Sequence, residues 1–239
     1  METETKKTLF SSYVELTKPR ITTLVLVTAA LGYVLGAAPE GSVLTLGFLY
    51  TLLGTGLCSG GASVLNHYAE RDADARMNRT RNRPLPTGVI APPMALIFGL
   101  ALIAGGGALL WFLVNTWAAG LALATALLYI LVYTPMKRFS WMNTPVGAVP
   151  GAIPPMIGWA AAAGRPELGA WILFLILFLW QHPHFYAIAW MFKDDYERGG
   201  FKMLPSVDPE GKRTFFISLS AALILIPVSL SLAWVDAAG

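Results

Sequence analysis

Long runs of apolar residues alternate along the chain with short polar segments, and this alternation is its dominant pattern. A helix that crosses the roughly 30 Å hydrocarbon layer of a membrane needs about 20 apolar residues, at about 1.5 Å per residue. Seven stretches of the chain have about that length. We therefore predict seven membrane-spanning helices near residues 21–38, 43–65, 94–113, 117–134, 145–163, 169–191 and 214–234. The fifth stretch is rich in proline and glycine, which predicts a kinked helix lining a pocket.

The composition supports this interpretation. Of the 239 residues, 55% are hydrophobic and only 13% are charged, whereas a soluble domain carries about 25% charged residues. These values exclude an ordinary soluble enzyme, a disordered chain and a nucleic-acid-binding domain. We predict an all-α fold, a polytopic transmembrane helix bundle whose surroundings are the lipid bilayer.

The charged residues indicate how the spans are oriented. With seven spans, every lysine and arginine except Arg165 falls on one side of the membrane. Because basic residues concentrate on the cytoplasmic side, we place that side and the N-terminus in the cytoplasm. The acidic residues lie on the same side, although the rule does not require it; the exceptions are Glu40, Glu167 and Asp236. Their clustering therefore calls for another explanation.

The first acidic cluster follows the second span. Asn66, Glu70 and Asp74 are spaced four residues apart, which puts all three on one face of a helix. Amide and carboxylate oxygens suit hard cations, and Mg²⁺ typically binds one or two carboxylates together with substrate phosphates. Asp72 points away from that face and ranks below Asp74.

The second acidic cluster follows the sixth span and contains Asp194 and Asp195, beside Lys193. Two acidic patches flanked by cations on one membrane side fit a clamp for a metal and a diphosphate group. The basic residues that would hold phosphate oxygens are Arg81, Arg83, Lys137, Arg138 and Lys193. An alternative remains open, in which both patches are solvated loop charges that only help orientation.

Two histidines, His182 and His184, lie late in the sixth span. Ionisable side chains within a span are rare and are often functional. A histidine that is merely hydrogen-bonded near the membrane interface is an equally good interpretation of each. His67 lies beside Asn66, and we expect a structural role for it.

Several motifs resemble those of one enzyme family, and together they cover nearly the whole chain. They are LTKPR at 16–20, NHYAERDADARMNRTRNRPL at 66–85, VYTPMKRFSWMNTPVG at 132–147, GAIPPMIGWAA at 151–161, PHF at 183–185 and KDDYERGGFKMLP at 193–205. The chain is identified by them as similar to the heme O synthases, also called protoheme IX farnesyltransferases, in the UbiA superfamily of intramembrane prenyltransferases.

The resemblance implies roles for individual residues. Asn66, Glu70 and Asp74 match the superfamily's first motif, so they and Asp195 are the expected catalytic residues. The expected ligands of Mg²⁺ are the same four residues and Asp194. The superfamily's second motif is D-x-x-x-D, and this chain departs from it because Arg198 stands four residues after Asp194. His184 matches the PHF histidine and is expected to contact the heme.

The implied reaction transfers farnesyl from farnesyl diphosphate to a vinyl group of heme B, giving heme O and diphosphate. Association with a downstream heme A synthase or with oxidase assembly machinery would follow from that role. Because the N-terminus contains acidic residues and no transit-type sequence, we expect a bacterial inner membrane. Family members have nine spans in one bundle around a central cavity, so we expect this chain to be a fragment lacking two.

Two alternatives from different classes are considered. The first is another UbiA-type prenyltransferase that acts on a quinone or chlorin precursor. The second is a transporter or an assembly protein with acidic cytoplasmic loops, in which Asp74 and Asp195 would be dispensable.

Overall fold

The computed structural model describes residues 8–37 and 43–234, and all regular secondary structure within these ranges is helical. The helices are α1 (Leu9–Leu16), α2 (Pro19–Ala37), α3 (Leu46–Asp74), α4 (Pro92–Leu113), α5 (Thr116–Leu127), α6 (Thr134–Met136), α7 (Asn143–Ala152), α8 (Pro154–Ala163), α9 (Leu168–Met191), α10 (Lys193–Gly199), α11 (Leu204–Val207) and α12 (Lys212–Ser231). A π-helical segment, Leu128–Tyr133, joins α5 to α6. Glu40 and Asp236 lie outside the described residues.

Seven helical segments of the described chain are long and apolar enough to cross a membrane, which confirms the predicted number. They are Pro19–Ala37, Leu46–Asp74, Pro92–Leu113, Thr116–Met136, Asn143–Ala163, Leu168–Met191 and Lys212–Ser231. The all-α class is likewise confirmed. Most of their ends lie within a few residues of the predicted ones, but the second segment ends much later than expected.

Helix α3 continues well beyond the predicted end of the second span at residue 65. Its 29 residues give a length of about 43 Å, which exceeds the roughly 30 Å of membrane hydrocarbon. The prediction stopped where polar residues begin, yet alanine, glutamate and arginine are good helix formers and carry the helix onward. Its last turns therefore present Asn66, Glu70 and Asp74 at one end of the bundle.

The fifth span is interrupted at Ile153, between α7 and α8, as its proline content predicts. Proline lacks the backbone N–H that an uninterrupted helix needs, and Pro154 and Pro155 follow the break. Beyond it, α8 packs closely against α2, with Gly158 against the backbone of Ala29. A side chain at Gly158 would collide with that backbone, so a small residue permits the close approach.

Helix α10 follows α9 directly and lies against the end of α3. Ala73 and Met77 from the α3 side form a buried apolar cluster with Ala189, Phe201 and Met203. This packing brings the two acidic segments to the same end of the molecule.

Candidate active site

The row Asn66, Glu70 and Asp74, here called the α3 row, lies on the last three turns of α3. These side chains are almost fully buried, with exposed fractions of 1%, 5% and 0%. Buried carboxylates are costly unless they are paired. Each member contacts one basic residue, and the pairs are Lys18–Asn66, Lys137–Glu70 and Arg83–Asp74.

Asp74 is held by Arg83, which lies in the loop that follows α3. The Arg83 Nη1 atom donates to both carboxylate oxygens of Asp74, at 2.9 and 2.8 Å. The same loop turns back on the helix end, since Thr80 Oγ1 donates to the backbone carbonyl of Asp74 at 2.9 Å. A predicted phosphate-binding arginine therefore lies directly on a predicted metal ligand.

Glu70 is paired with Lys137, which comes from the segment after α6. The Lys137 Nζ donates to Glu70 Oε1 at 2.7 Å and lies 4.5 Å from the centre of the Tyr133 ring. Burial disfavours the charged form of Lys137, but the Glu70 carboxylate outweighs that effect and raises the pKa of the lysine. Lys137 is consequently a fixed positive charge within the site.

Asn66 is held between two hydrogen bonds that fix the orientation of its amide. Its Oδ1 accepts from Lys18 Nζ at 2.7 Å, and its Nδ2 donates to Thr134 Oγ1 at 3.1 Å. The Thr134 hydroxyl in turn donates to the carbonyl of Tyr129 in the π-helical segment, at 2.8 Å. A π-helical turn releases backbone groups from regular pairing, and such turns are frequent at functional sites.

Lys18 is a site residue that sequence reasoning missed. It lies between α1 and α2 with a φ of 49°, a left-handed conformation that is uncommon for residues other than glycine. Burial, with a contribution from the nearby Arg83, lowers the pKa of Lys18 to about 7. LTKPR places this lysine at the start of the first span, but the pattern indicates orientation and a family resemblance without pointing to a contact with Asn66.

The second acidic segment meets the loop after α3 through Asp195, which is 7% exposed. The two oxygens of this carboxylate accept the backbone N–H groups of Asn78 and Arg79, each at 3.1 Å. Asp195 also pairs with Arg198 on the next turn of α10. The hydrogen bond from Arg198 is the main cause that lowers the pKa of Asp195.

Asp194 and Lys193 have a different environment from Asp195. Asp194 is exposed and Lys193 is half-buried. Both line an open cleft of about 300 Å³ beside α10, together with Trp190 and Asn78. Asp195 lines this cleft as well, so the two adjacent aspartates differ in their exposure and partners, and only the Asp195 carboxylate is bound to the backbone of the loop after α3.

The remaining candidates, Arg81, Arg138 and His184, are exposed side chains, unlike the buried members of the α3 row. Arg81 and Arg138 are exposed, and Arg138 Nη2 donates to the Ala69 carbonyl at 3.3 Å. His184 is exposed on α9 and stacks on Trp180, with 4.8 Å between ring centroids. Its role in binding heme stays a prediction.

The other two histidines are buried. His182 Nδ1 lies 2.7 Å from the Phe178 carbonyl, as expected of a hydrogen-bonded histidine in a helix. Neither ring nitrogen of His67 has a hydrogen-bond partner within the described chain. His67 lies within α3, one residue after Asn66.

A divalent metal ion fits the α3 row by the chemistry of its donors. In the part of the chain that the structure describes, no group of three or more histidine, cysteine or acidic residues forms a ready metal centre. The row instead offers two carboxylates and one amide oxygen. Mg²⁺ commonly takes one or two protein carboxylates and completes its coordination with phosphate oxygens and water.

Comparisons with known proteins agree on one family. The family model described as the UbiA prenyltransferase family matches residues 25–238. A protein of Solibacter usitatus named protoheme IX farnesyltransferase is 49% identical over 225 residues, which is 91% of this chain and 77% of that protein. A protein of the same name from Koribacter versatilis is 43% identical, over 93% of this chain and 72% of the relative.

Solved structures with the same fold are more distant in sequence. A structure of digeranylgeranylglyceryl phosphate synthase superposes with a TM-score of 0.77 at 19% identity, covering 96% of this chain and 79% of that one. A UbiA homologue from Archaeoglobus fulgidus, bound to dimethylallyl diphosphate (DMAPP) and Mg²⁺, gives a TM-score of 0.69 at 19% identity, covering 92% and 75%. At this identity the likeness concerns the fold alone.

Proposed function

This chain belongs to the UbiA prenyltransferase family, and we propose that it transfers the farnesyl group of farnesyl diphosphate to a vinyl group of heme B, making heme O. The relatives named protoheme IX farnesyltransferase, at 43–49% identity over most of the chain, support this assignment. The observation that carries it is the α3 row, in which each oxygen-bearing side chain contacts its own cation.

The α3 row would hold a Mg²⁺ ion through Asn66, Glu70 and Asp74. The magnesium-bound diphosphate complex of a structural neighbour supports a divalent metal in this fold. When bound, the ion supplies positive charge to the diphosphate as it leaves. Of the two aspartates on α10 that the sequence predicts as ligands, Asp194 remains the proposed one, because it is exposed whereas the Asp195 carboxylate is bound by Asn78, Arg79 and Arg198.

Basic residues of the site would bind the phosphate oxygens. Lys18, Arg83 and Lys137 already lie against the α3 row, so only local movement separates them from a diphosphate bound there. Arg81, Arg138 and Lys193 are the outer candidates. Cations placed where negative charge develops stabilise the transition state more than the bound substrate.

The reaction begins when the bond between the allylic carbon and the diphosphate oxygen breaks, and the electron pair leaves with the oxygen. The allylic cation is then attacked by the π electrons of the heme vinyl group, which forms the new carbon–carbon bond. Water adds to the cation that results and loses a proton. One farnesyl diphosphate, one heme B and one water thereby give heme O, diphosphate and a proton.

The position of the site suits two lipophilic substrates. The α3 row lies at the end of a helix longer than the hydrocarbon layer, so a diphosphate can bind at the membrane surface while its prenyl tail stays in apolar surroundings. Apolar surroundings also limit premature capture of the cation by water. We place this surface in the cytoplasm of a bacterial inner membrane, from the distribution of basic residues.

The decisive experiment uses membranes that contain the chain, incubated with farnesyl diphosphate, Mg²⁺ and heme B. We expect heme O by mass spectrometry, and no product when a chelator removes Mg²⁺. Parallel incubations replace heme B with a quinone precursor or a chlorin precursor. Prenylation of one of those acceptors without heme O would favour the alternative enzyme, and absence of any product would contradict a prenyltransferase.

A further inference from the structure

We propose that Asp195 is a positioning residue, which holds the loop after α3 in the place from which Arg83 reaches Asp74. We call this loop, residues 75–83, the arginine loop. The inference rests on the proposed function, because it assigns Arg83 to the substrate's diphosphate. In this proposal Asp195 does not touch the substrate and acts on Arg83 through the backbone of the loop.

Asp195 binds the backbone of the arginine loop directly. Its carboxylate accepts two successive backbone N–H groups, from Asn78 and Arg79, one on each oxygen. Successive backbone N–H groups form a concave anion-binding site, and here the anion belongs to the protein itself. Arg198 is a third partner, so both oxygens of the carboxylate already have partners within the fold.

Other contacts fasten the same loop to the same helix. Arg76 Nη2 donates to the Gly199 carbonyl at 2.9 Å, at the end of α10. The Arg79 guanidinium lies 4.6 Å from the centre of the Phe192 ring and donates to the Tyr196 hydroxyl at 3.2 Å. The arginine loop is therefore attached at three points, with Asp195 in the middle.

The anchored residues are connected to Arg83 by short-range hydrogen bonds. The Thr80 N–H donates to the Met77 carbonyl at 3.2 Å, and the Arg83 N–H donates to the Thr80 carbonyl at 3.0 Å. Thr80 also donates from its hydroxyl to the end of α3 at Asp74. A displacement of the backbone at 78 and 79 must therefore move the turn that carries Arg83.

The test compares Asp195→Asn with the unchanged chain in lipid nanodiscs. Asparagine keeps the size of the side chain but removes its charge and one acceptor. Hydrogen–deuterium exchange followed by mass spectrometry measures the protection of residues 76–83, and steady-state kinetics measures heme O formation. We expect the backbone N–H groups of Asn78 and Arg79 to exchange about tenfold faster in the variant, because each loses a hydrogen bond to a charged group. The KM for farnesyl diphosphate should rise about tenfold with a smaller fall in kcat.

The concentration of Mg²⁺ that gives half-maximal activity separates positioning from metal binding. We expect it to be unchanged in Asp195→Asn, whereas loss of a metal ligand would raise it and leave exchange unaltered. The matched control is Asp72→Asn, an exposed carboxylate of α3 whose loss should change none of these values. Asp195→Ser provides a second variant should the amide disturb folding.

Three results would overturn the proposal. They are unchanged exchange at residues 76–83, faster exchange with unaltered KM and kcat, and a raised Mg²⁺ requirement with normal exchange. Failure of the proposed function is a different result, because the unchanged chain would then form no heme O. In that case the exchange measurement still decides whether Asp195 holds the loop.

Discussion

Two groups of acidic side chains lie at one end of the helix bundle, and they differ in the partners they bind. Glu70 and Asp74 on α3 pair with the side chains of a lysine and an arginine. Asp195 and Asp208, which follow α9, accept hydrogen bonds from backbone N–H groups. Acidic side chains at this end of the bundle therefore have two kinds of partner, basic side chains on α3 and backbone N–H groups after α9.

The two kinds of partner differ in how easily they can leave a carboxylate and bind a ligand instead. Long basic side chains can move from a protein carboxylate to a phosphate oxygen without any change in the backbone. Backbone N–H groups cannot leave a carboxylate unless the local fold opens. We therefore propose that the α3 row receives a charged ligand, whereas Asp195 and Asp208 hold segments of chain in place.

The largest effect is expected from Asp74→Asn, which keeps the shape of the side chain but removes its charge. Loss of a metal ligand and of the charge that orients Arg83 should lower kcat/KM for heme O formation about 100-fold or more. Assays of heme O in membranes with matched protein levels check this. Asp72→Asn, on the same helix end but exposed, should retain normal turnover. If Asp74→Asn also retained it, the α3 row would be no more functional than a surface charge.

The seven spans and the α3 row were predictable because their signals are local. Apolar length determines a span, and a spacing of four residues determines a helix face. The end of the second span at Asp74 was not predicted, since a hydropathy boundary marks where apolar residues stop and not where hydrogen bonding stops.

The cations that meet the α3 row depend on tertiary structure. Lys18 precedes Asn66 by 48 positions and Lys137 follows Glu70 by 67, so no local pattern relates them. The sequence also did not show which of the adjacent residues Asp194 and Asp195 binds the loop after α3. Two neighbouring aspartates look alike in a sequence, and only the folded chain brings Asp195 to the backbone of Asn78 and Arg79.

An intermediate effect is expected from Lys18→Met, which tests whether the α3 row extends to the residue that sequence reasoning missed. Methionine keeps the length of the apolar stem but cannot donate to Asn66 or to a phosphate oxygen. We expect the KM for farnesyl diphosphate to rise about tenfold, the value of one charge-assisted hydrogen bond, with a smaller change in kcat. Arg20→Gln, two residues away and exposed, is the control. Equal kinetics in both variants would remove Lys18 from the site.

The smallest effect is expected from Asp208→Asn, which tests the other side of the comparison. Asp208 Oδ2 accepts from the backbone N–H and the hydroxyl of Thr214, at 2.8 and 2.9 Å, in the first turn of α12. The backbone hydrogen bond is the main cause that lowers the pKa of Asp208 in the folded chain. A carboxyl group with a lowered pKa stabilises the fold above its unfolded pKa, and that contribution disappears as the pH falls through the folded value.

The thermal midpoint of the unchanged chain should therefore exceed that of Asp208→Asn by a few degrees near pH 7, and the difference should close as the pH falls through the lowered pKa of Asp208. Thermal unfolding of the purified protein in detergent at several pH values measures both. Glu210→Gln is the matched control, because its ion pair with Lys212 is exposed on both sides and should contribute almost nothing. Heme O formation by Asp208→Asn should remain normal at temperatures where the chain is folded. A loss of turnover as large as that of Asp74→Asn would erase the distinction between acids that bind ligand and acids that hold the backbone.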